Sequence, residues 1–279
     1  GRSATLTYRK GTNDWNTVSS TLAPHDEYHL PQGLSGVAVD IGAYLGSVAI
    51  GLALDNPGLR VVAIEPVPPN VDLIWANVAR NGLEERIEVI AGAVGGPGDV
   101  EIAVWYGYRG TAEVEHHAFV GNSTLAYDHG GELEHEEVRY HRITVSDLLS
   151  GFGRIDWCKI DAEGAEWAFL SDPAVCRLPY IIGEWHPVRG HVQADMTDLL
   201  ACHDVTFSGP VEGPGGFVAT LLSTHELPLQ PLPPTGPLVG IVYAGGLAIL
   251  PDGGIVISDA FLGTIWACSS TLDDCHFVM

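Results

Sequence analysis

The sequence predicts an α/β chain: a doubly wound, mostly parallel seven-stranded sheet with an antiparallel closing strand, followed by a short β-rich C-terminal appendage. Three observations carry this reading. Apolar strand-like runs alternate with helix-like segments from Val37 onward, the pattern of a parallel sheet covered on both faces. The first run, Val37-Ala38-Val39-Asp40-Ile41, passes through an acid into the glycine-spaced turn Gly42-Ala43-Tyr44-Leu45-Gly46, which opens a helix. Late in the chain, two apolar runs flank a glycine- and proline-rich hairpin, as a closing antiparallel pair would.

Strands are expected near 37–41, 61–65, 87–91, 155–160 and 180–185, with helices near 46–55, 70–80, 163–170 and 191–201. The boundaries have chemical reasons. Pro57-Gly58 stops the first helix, Pro68-Pro69-Asn70 starts the second, and Asn81-Gly82 ends it with residues that tolerate positive φ. The closing pair falls at 203–207 and 216–222. Residues 98–145 break the alternation and read as an insertion beside the strand ends, in which Val100 to Val104 pairs with Val138 to Val145 around a polar segment.

The chain therefore divides into an N-terminal cap segment (1–36), a main domain (37–224), a proline-rich linker (225–240) and an appendage (241–279). Gly246 to Asp259 reads as two short strands about a Pro-Asp-Gly turn, with a third at Thr264 to Ala267. The appendage resembles one blade of a gluconolactonase-like propeller. A single blade cannot close a ring, so it is expected to dock on the main domain, pair with another chain in an oligomer, or derive from a fused neighbour.

Thirteen Lys and Arg stand against 35 Asp and Glu in 279 residues, a formal charge of −22. A polyphosphate partner would be repelled across most of such a surface, so nucleic acid is excluded as a partner. No apolar run reaches the roughly 18 residues needed to span a bilayer, so no membrane partner is expected and the chain reads as cytoplasmic. The five cysteines form no C-x-x-C pair and are expected to be reduced and mostly buried.

Site chemistry gathers at the strand ends. Gly42 allows a sharp turn and close backbone approach, Gly46 permits tight helix packing, and the helix start offers N–H groups to an anion. About twenty residues on, Val61-Val62-Ala63-Ile64 ends in Glu65-Pro66, a carboxylate at the tip of the neighbouring strand where it can accept ribose hydroxyls. A third acidic tip follows at Lys159-Ile160-Asp161-Ala162-Glu163-Gly164-Ala165-Glu166.

These motifs, with Asn70 and Asn77 after Glu65 and with Asn122-Ser123-Thr124-Leu125 in the insertion, resemble those of the FkbM-type S-adenosylmethionine-dependent methyltransferases over about residues 11–222. The resemblance implies a Rossmann-like class I methyltransferase fold, S-adenosyl-L-methionine as cofactor, and O-methyl transfer to a small hydroxylated acceptor such as a sugar or secondary metabolite. It places the cofactor against Asp40, Gly42, Ala43, Tyr44, Gly46, Glu65, Pro66, Ala93 and Asp161. Asp40 would face the cationic amino-acid portion, the Gly42 turn its carboxylate, Glu65 the ribose, and Ala91 to Val94 the adenine. Tyr44 departs from the family's usual Asn.

Three residues are candidates for the base that assists loss of the acceptor proton: His186, Asp161 and Glu163. His186 is preferred because an unperturbed imidazole titrates near neutral pH, with Asp161 as its expected polar neighbour. Glu166 reads as structural. Tyr28, Ser123, Tyr127 and Trp105 are expected to line the acceptor pocket. The insertion histidines, His116, His117, His129, His135 and His141, lie among glutamates without zinc-motif spacing, and no metal site is expected. Two other functions compete: a nicotinamide-dependent oxidoreductase, disfavoured by the lack of a G-x-G-x-x-G turn, and a degenerate cofactor fold kept as an interaction module.

Overall fold

The computed structural model describes residues 3–10, 12, 14–22, 26–98, 101–108, 120–124, 135–187, 190–210, 214–222, 242–249, 255–259, 264–268 and 275–277. It divides into two compact units, Gly1–Leu221 and Leu222–Met279. The first unit runs α1 (Asp14–Thr21), β1 (Ser35–Ile41), α2 (Ser47–Asp55), β2 (Gly58–Glu65), α3 (Pro68–Arg80), β3 (Ile87–Ala91), β4 (Ala93–Val94), β5 (Glu101–Tyr108), β6 (Val120–Thr124) and β7 (His135–Ile143). It continues with α4 (Val145–Phe152), β8 (Trp157–Ile160), α5 (Glu166–Leu170), a 3₁₀ turn (Pro173–Arg177), β9 (Tyr180–Trp185), α6 (Gln193–Leu199), β10 (His203–Phe207) and β11 (Gly215–Leu221).

The main sheet has the order β10-β11-β9-β8-β1-β2-β3, and β11 alone runs against its neighbours. The seven-stranded, mostly parallel expectation is met. Strand order reverses between β1 and β8, so the crevice opens at their carboxyl ends, where a doubly wound sheet takes its ligands. Alternate side chains of these strands feed two cores. Val39, Ile41, Val62, Ile64 and Ile160 pack with Leu148, Phe169 and Leu170 on one face. Ala38, Val61, Ala63 and Trp157 pack with Ile50, Leu52, Ile74 and Val78 on the other.

Local chemistry sets the helix starts. Pro68 begins α3, and Thr144 with Asp147 forms a capping box on α4. The N-terminal segment lies along α3 through an amide ladder: Thr7 N–H donates to Asn77 Oδ1 and Thr5 N–H to Asn81 Oδ1, while each Asn Nδ2 donates back to the threonine carbonyl.

The insertion forms a second sheet, β4-β7-β5-β6. Val104 faces Val138 across β5 and β7, as the pairing of these two segments predicts. Strand β6 falls in what the sequence presents as a polar segment, because Gly121-Asn122-Ser123-Thr124 lacks apolar alternation and its pairing with β5 supplies the order. The second unit is a four-stranded antiparallel sheet of β12 (Val242–Ile249), β13 (Ile255–Asp259), β14 (Thr264–Cys268) and β15 (Cys275–Phe277), one strand more than the sequence indicates. Among the described residues, no helix is long and apolar enough to cross a membrane.

The cysteine expectation is corrected. Cys176, after α5, and Cys202, after α6, form a disulfide, while Cys158 is free and buried in β8. Cys176 lies in the 3₁₀ turn Pro173–Arg177 and Cys202 in the turn before β10, and their proximity is invisible in spacing alone. Closing a loop between positions 26 residues apart should contribute about 3 kcal/mol. Cys176→Ser is expected to lower the urea midpoint accordingly, with dithiothreitol doing the same to the wild-type chain and nothing further to the variant.

Candidate active site

The glycine turn after β1 is set by contact with β8. At Gly42, φ is +71° and a Cβ would stand 1.8 Å from the Asp161 carbonyl oxygen, so only glycine fits between the two strand ends. The Gly42 and Ala43 N–H groups donate to the Ile64 carbonyl at 3.0 and 3.1 Å, and the Tyr44 N–H donates to Glu65 Oε2 at 2.9 Å. These three amides are committed to β2, so the first half of the turn does not present them to a carboxylate. Tyr44 has φ +55°, a left-handed conformation more natural to Asn, and its hydroxyl donates to Asp14 Oδ1 at 2.7 Å, with Arg9 bridging to the same acid. The N-terminal segment thus anchors the turn from outside.

Behind the turn sits a buried charge network. Asp40 and Lys159 are cross-strand partners on β1 and β8, on the same face as Ala38 and Trp157. Lys159 Nζ lies 3.3 Å from Asp40 Oδ1 and 3.9 Å from Asp161 Oδ2, and donates to the Ile41 and Gly42 carbonyls at 3.2 and 2.8 Å. The Ala49 N–H reaches Asp40 Oδ2 at 3.1 Å. Fully buried, Asp40 does not line the cavity, which corrects its expected place against the cofactor's ammonium. It holds Lys159 and the start of α2 instead.

Asp161, Glu163, Glu184, Glu65 and Glu27 line one cavity of about 350 Å³ together with Tyr28, Gly42, Ala43, Tyr44, Ser47 and Lys159. This lies within the usual size of cofactor and small-ligand sites, about 300–1,000 Å³. The Tyr28 hydroxyl donates to Asp161 Oδ2 at 3.2 Å and Glu184 Oε1 at 3.4 Å. Glu65 Oε1 accepts from the Val67 N–H and Asn70 Nδ2. Burial pushes Glu65, Glu163 and Glu184 up to about 7, with the Asp161 charge adding to the effect on the last two. On the other side of Gly42, Pro66, Ala93, Val94 and Ala162 form a narrow apolar slot.

His186 is placed differently from expectation. Its Nδ1 is 2.8 Å from Glu166 Oε1, and its Nε2 is 3.5 Å from Glu163 Oε2; Glu166 therefore takes the place expected for Asp161. Glu166 Oε1 also accepts the His186 N–H, and its Oε2 accepts the Gly164 N–H. Burial works against the imidazolium, but the Glu166 hydrogen bond and charge, with Glu163 and Asp161, outweigh it and carry His186 up to about 9. The ring is protonated at neutral pH and is not a ready base. Glu163 is the better candidate: it lines the cavity from a left-handed backbone, φ +50°, of the kind that clusters at working sites.

The remaining expected residues divide. Gly46 (φ +84°) begins α2 against Ile74, outside the cavity lining. Trp105 and Ser123 are register partners in the pairing of β5 with β6, and Tyr127 lies outside the described residues, as do His116, His117 and His129. Lys159, Glu184 and Glu27 were missed as site residues. The lone Lys in the apolar run Trp157-Cys158-Lys159-Ile160 and the Glu in Ile181-Ile182-Gly183-Glu184-Trp185 were the available signals.

Residues 40–207, more than half of the sequence, match the family described as Methyltransferase FkbM domain. The chain belongs to this family. FkbM proteins are S-adenosyl-L-methionine-dependent methyltransferases. Over 62 residues the chain is 40% identical to O-methyltransferase imqG of Aspergillus flavus, covering 22% of this chain and 25% of that protein. It is 26% identical over 208 residues to AMB antimetabolite synthetase AmbE of Pseudomonas aeruginosa, covering 63% of this chain and 10% of that protein. Ribosomal RNA small subunit methyltransferase G of Frankia alni is 40% identical over 63 residues, covering 23% of each chain. The chain thus spans a quarter or less of the length of these relatives. Among solved structures, precorrin-6Y C5,15-methyltransferase of Geobacter metallireducens superposes with a TM-score of 0.44 at 14% identity, covering 78% of this chain and 94% of that one.

Two outcomes follow for the FkbM site. Lys159→Met leaves Asp40 buried without its cation and should cost about 3 kcal/mol or more in urea unfolding, with Asp40→Asn in the same chain recovering part of the loss. Stability should also fall as pH rises. The three glutamates, ordinarily near 4.5 and raised to about 7, disfavour folding increasingly between those values, and His186 loses its contribution from 6.5 to about 9. Urea midpoints measured from pH 5 to pH 9 check the sign.

Proposed function

We propose that this chain transfers the methyl group of S-adenosyl-L-methionine to a hydroxyl of a small molecule, a sugar or a secondary-metabolite scaffold. The observation that carries the reading is Glu163, a cavity-lining carboxylate poised near neutral pH beside the strand-end crevice of a methyltransferase sheet. A proton acceptor is most effective when its pKa lies near the working pH.

The cofactor supplies an electrophilic methyl group when bound. Glu65 would take a ribose hydroxyl through Oε2, which accepts the Tyr44 N–H and keeps a lone pair, while Oε1 already accepts two hydrogen bonds. Pro66, Ala93 and Val94 would bound the adenine, and the carboxylates around Asp161 would favour the donor's positive charge. Glu163 would accept the acceptor's hydroxyl proton as that hydroxyl takes the methyl group. The His186 imidazolium, fixed by Glu166, orients Glu163 and partly offsets the burial that disfavours its ionised form. Alignment is the larger contribution, since well-oriented pairs reach effective molarities of about 10⁵ M or more, against about 10²- to 10⁴-fold for a positioned base.

Two of the relatives bear on the acceptor in opposite senses: one is named an O-methyltransferase and one a ribosomal RNA methyltransferase. The charge of −22 and a cavity lined by five carboxylates favour a small acceptor over RNA.

Glu65→Gln is expected to raise the dissociation constant for S-adenosylhomocysteine in calorimetric titration. Glu163→Gln should leave that constant nearly unchanged, lower kcat about 10²- to 10⁴-fold with a hydroxylated acceptor, and abolish the rise in rate through pH 7. Full turnover by Glu163→Gln would remove it as the base, and methyl incorporation into RNA would overturn the acceptor class.

A further inference from the structure

We infer that Asp161, Glu163 and His186 form a binding site for one divalent first-row transition-metal ion. Each offers a ligand atom, and the three atoms lie within 4.8 Å of one another. His186 Nε2 and Glu163 Oε2 are 3.5 Å apart, the separation of two donors each about 2.1 Å from a common ion at a near-tetrahedral angle.

The arrangement behind the histidine points to a ligand independently of the acids in front. A metal-bound imidazole commonly gives its other nitrogen to a carboxylate, which fixes the tautomer and aims the ring. Glu166 does this: fully buried, it sits 2.8 Å from His186 Nδ1, accepts the His186 backbone N–H at 2.7 Å, and is held by the Gly164 N–H. Trp167 Nε1 donates to the His186 carbonyl at 2.7 Å, so ring and backbone are fixed together. Nε2 is left facing Glu163. An ion bound there would take the place of the Nε2 proton that the His186 imidazolium otherwise directs at Glu163, leaving Nδ1–H on Glu166.

Charge supports the same conclusion. Five carboxylates line this cavity, and Lys159 is the one basic side chain among its described lining. That ammonium is already bound to Asp40 and to the Ile41 and Gly42 carbonyls on the far side of Asp161. A second cation has both room and counter-charge. One imidazole with two carboxylates suits Mn²⁺, Fe²⁺ or Zn²⁺ better than Mg²⁺ or Ca²⁺, which prefer all-oxygen shells.

Ion binding does not depend on the methyl-transfer proposal, but its consequence does. An acceptor hydroxyl coordinated to the ion would lose its proton more readily, to solvent water, so the ion would take over the activation otherwise assigned to Glu163 as a base.

The test uses the full chain stripped with a chelator, titrated with MnCl₂ and followed by the electron paramagnetic resonance of free Mn²⁺, and with ZnCl₂ by calorimetry. One ion per chain is expected. Asp161→Asn, Glu163→Gln and Glu166→Gln, each checked for folding by circular dichroism, should weaken it about 10- to 100-fold. Absence of saturable binding by either ion, or unchanged affinity in all three folded variants, would overturn the site. Titration with S-adenosylhomocysteine in parallel separates the two ideas: donor binding without ion binding ends this inference alone, and ion binding without donor binding ends the methyltransferase proposal alone.

Discussion

Two carboxylates and two turn carbonyls converge on the ammonium of Lys159, and the rest of the crevice is arranged around that convergence. The lysine stands on the central strand β8, directly opposite Asp40 on β1, so its stem crosses the switch point of the sheet and its charge arrives where both strands end. Without it, Asp40 would be an isolated buried acid, a situation proteins avoid because burial of an unpaired charge costs several kcal/mol. The Tyr28 ring lies over the same ammonium at 5.3 Å, which brings the segment before β1 into the site and places its hydroxyl between Asp161 and Glu184. The lysine carries charge balance and geometry together: its bonds to the Ile41 and Gly42 carbonyls fix where the turn begins.

From that fixed point the turn must squeeze between β2 and β8. The contact of Gly42 with the Asp161 carbonyl leaves no room for a side chain, and the next residues spend their amides on Ile64 and Glu65. Tyr44 then occupies a left-handed conformation costing about 1–2 kcal/mol, offset by its hydroxyl bond to Asp14. Glu163 is the counterpart on the other rim of the cavity, held at positive φ and followed by Gly164 at +100°. Strain on both rims is consistent with side chains placed for a ligand rather than for packing.

Much of this was legible in the residues. The sheet follows from apolar runs of strand length separated by capped helices, and Pro68 and Asn81-Gly82 mark helix ends where the structure has them within a few residues. The acid-tipped strands were legible too, because Glu65 and Asp161 stand at the ends of apolar runs. What escaped was partnership across distant segments. Asp40 and Asp161 look alike in sequence, yet Asp40 stands within β1, buried opposite Lys159, while Asp161 lies just beyond the end of β8 and lines the cavity, a difference of position along the paired strands that apolar runs do not mark. Glu166 looked structural, and it is, but through His186 twenty residues away. Strand β6 and the Cys176–Cys202 bridge were hidden for the same reason: each depends on a neighbour that local pattern does not name.

The shift of His186 shows why residue type alone misassigns chemistry. An isolated imidazole near neutral pH is a natural base, but here the Glu166 bond and the flanking acids stabilise its charged form, while burial and the Asp161 charge disfavour that of Glu163. The pair exchanges roles: the histidine becomes the fixed cation and the glutamate the group that titrates near 7. The same logic governs the whole cavity. Burial raises three of the cavity's carboxylates, Glu65, Glu163 and Glu184, around one committed lysine, so positive charge of another kind, a sulfonium donor or a metal ion, would displace their protons on binding. The acidity of the crevice is therefore the property that would draw a cationic methyl donor into it.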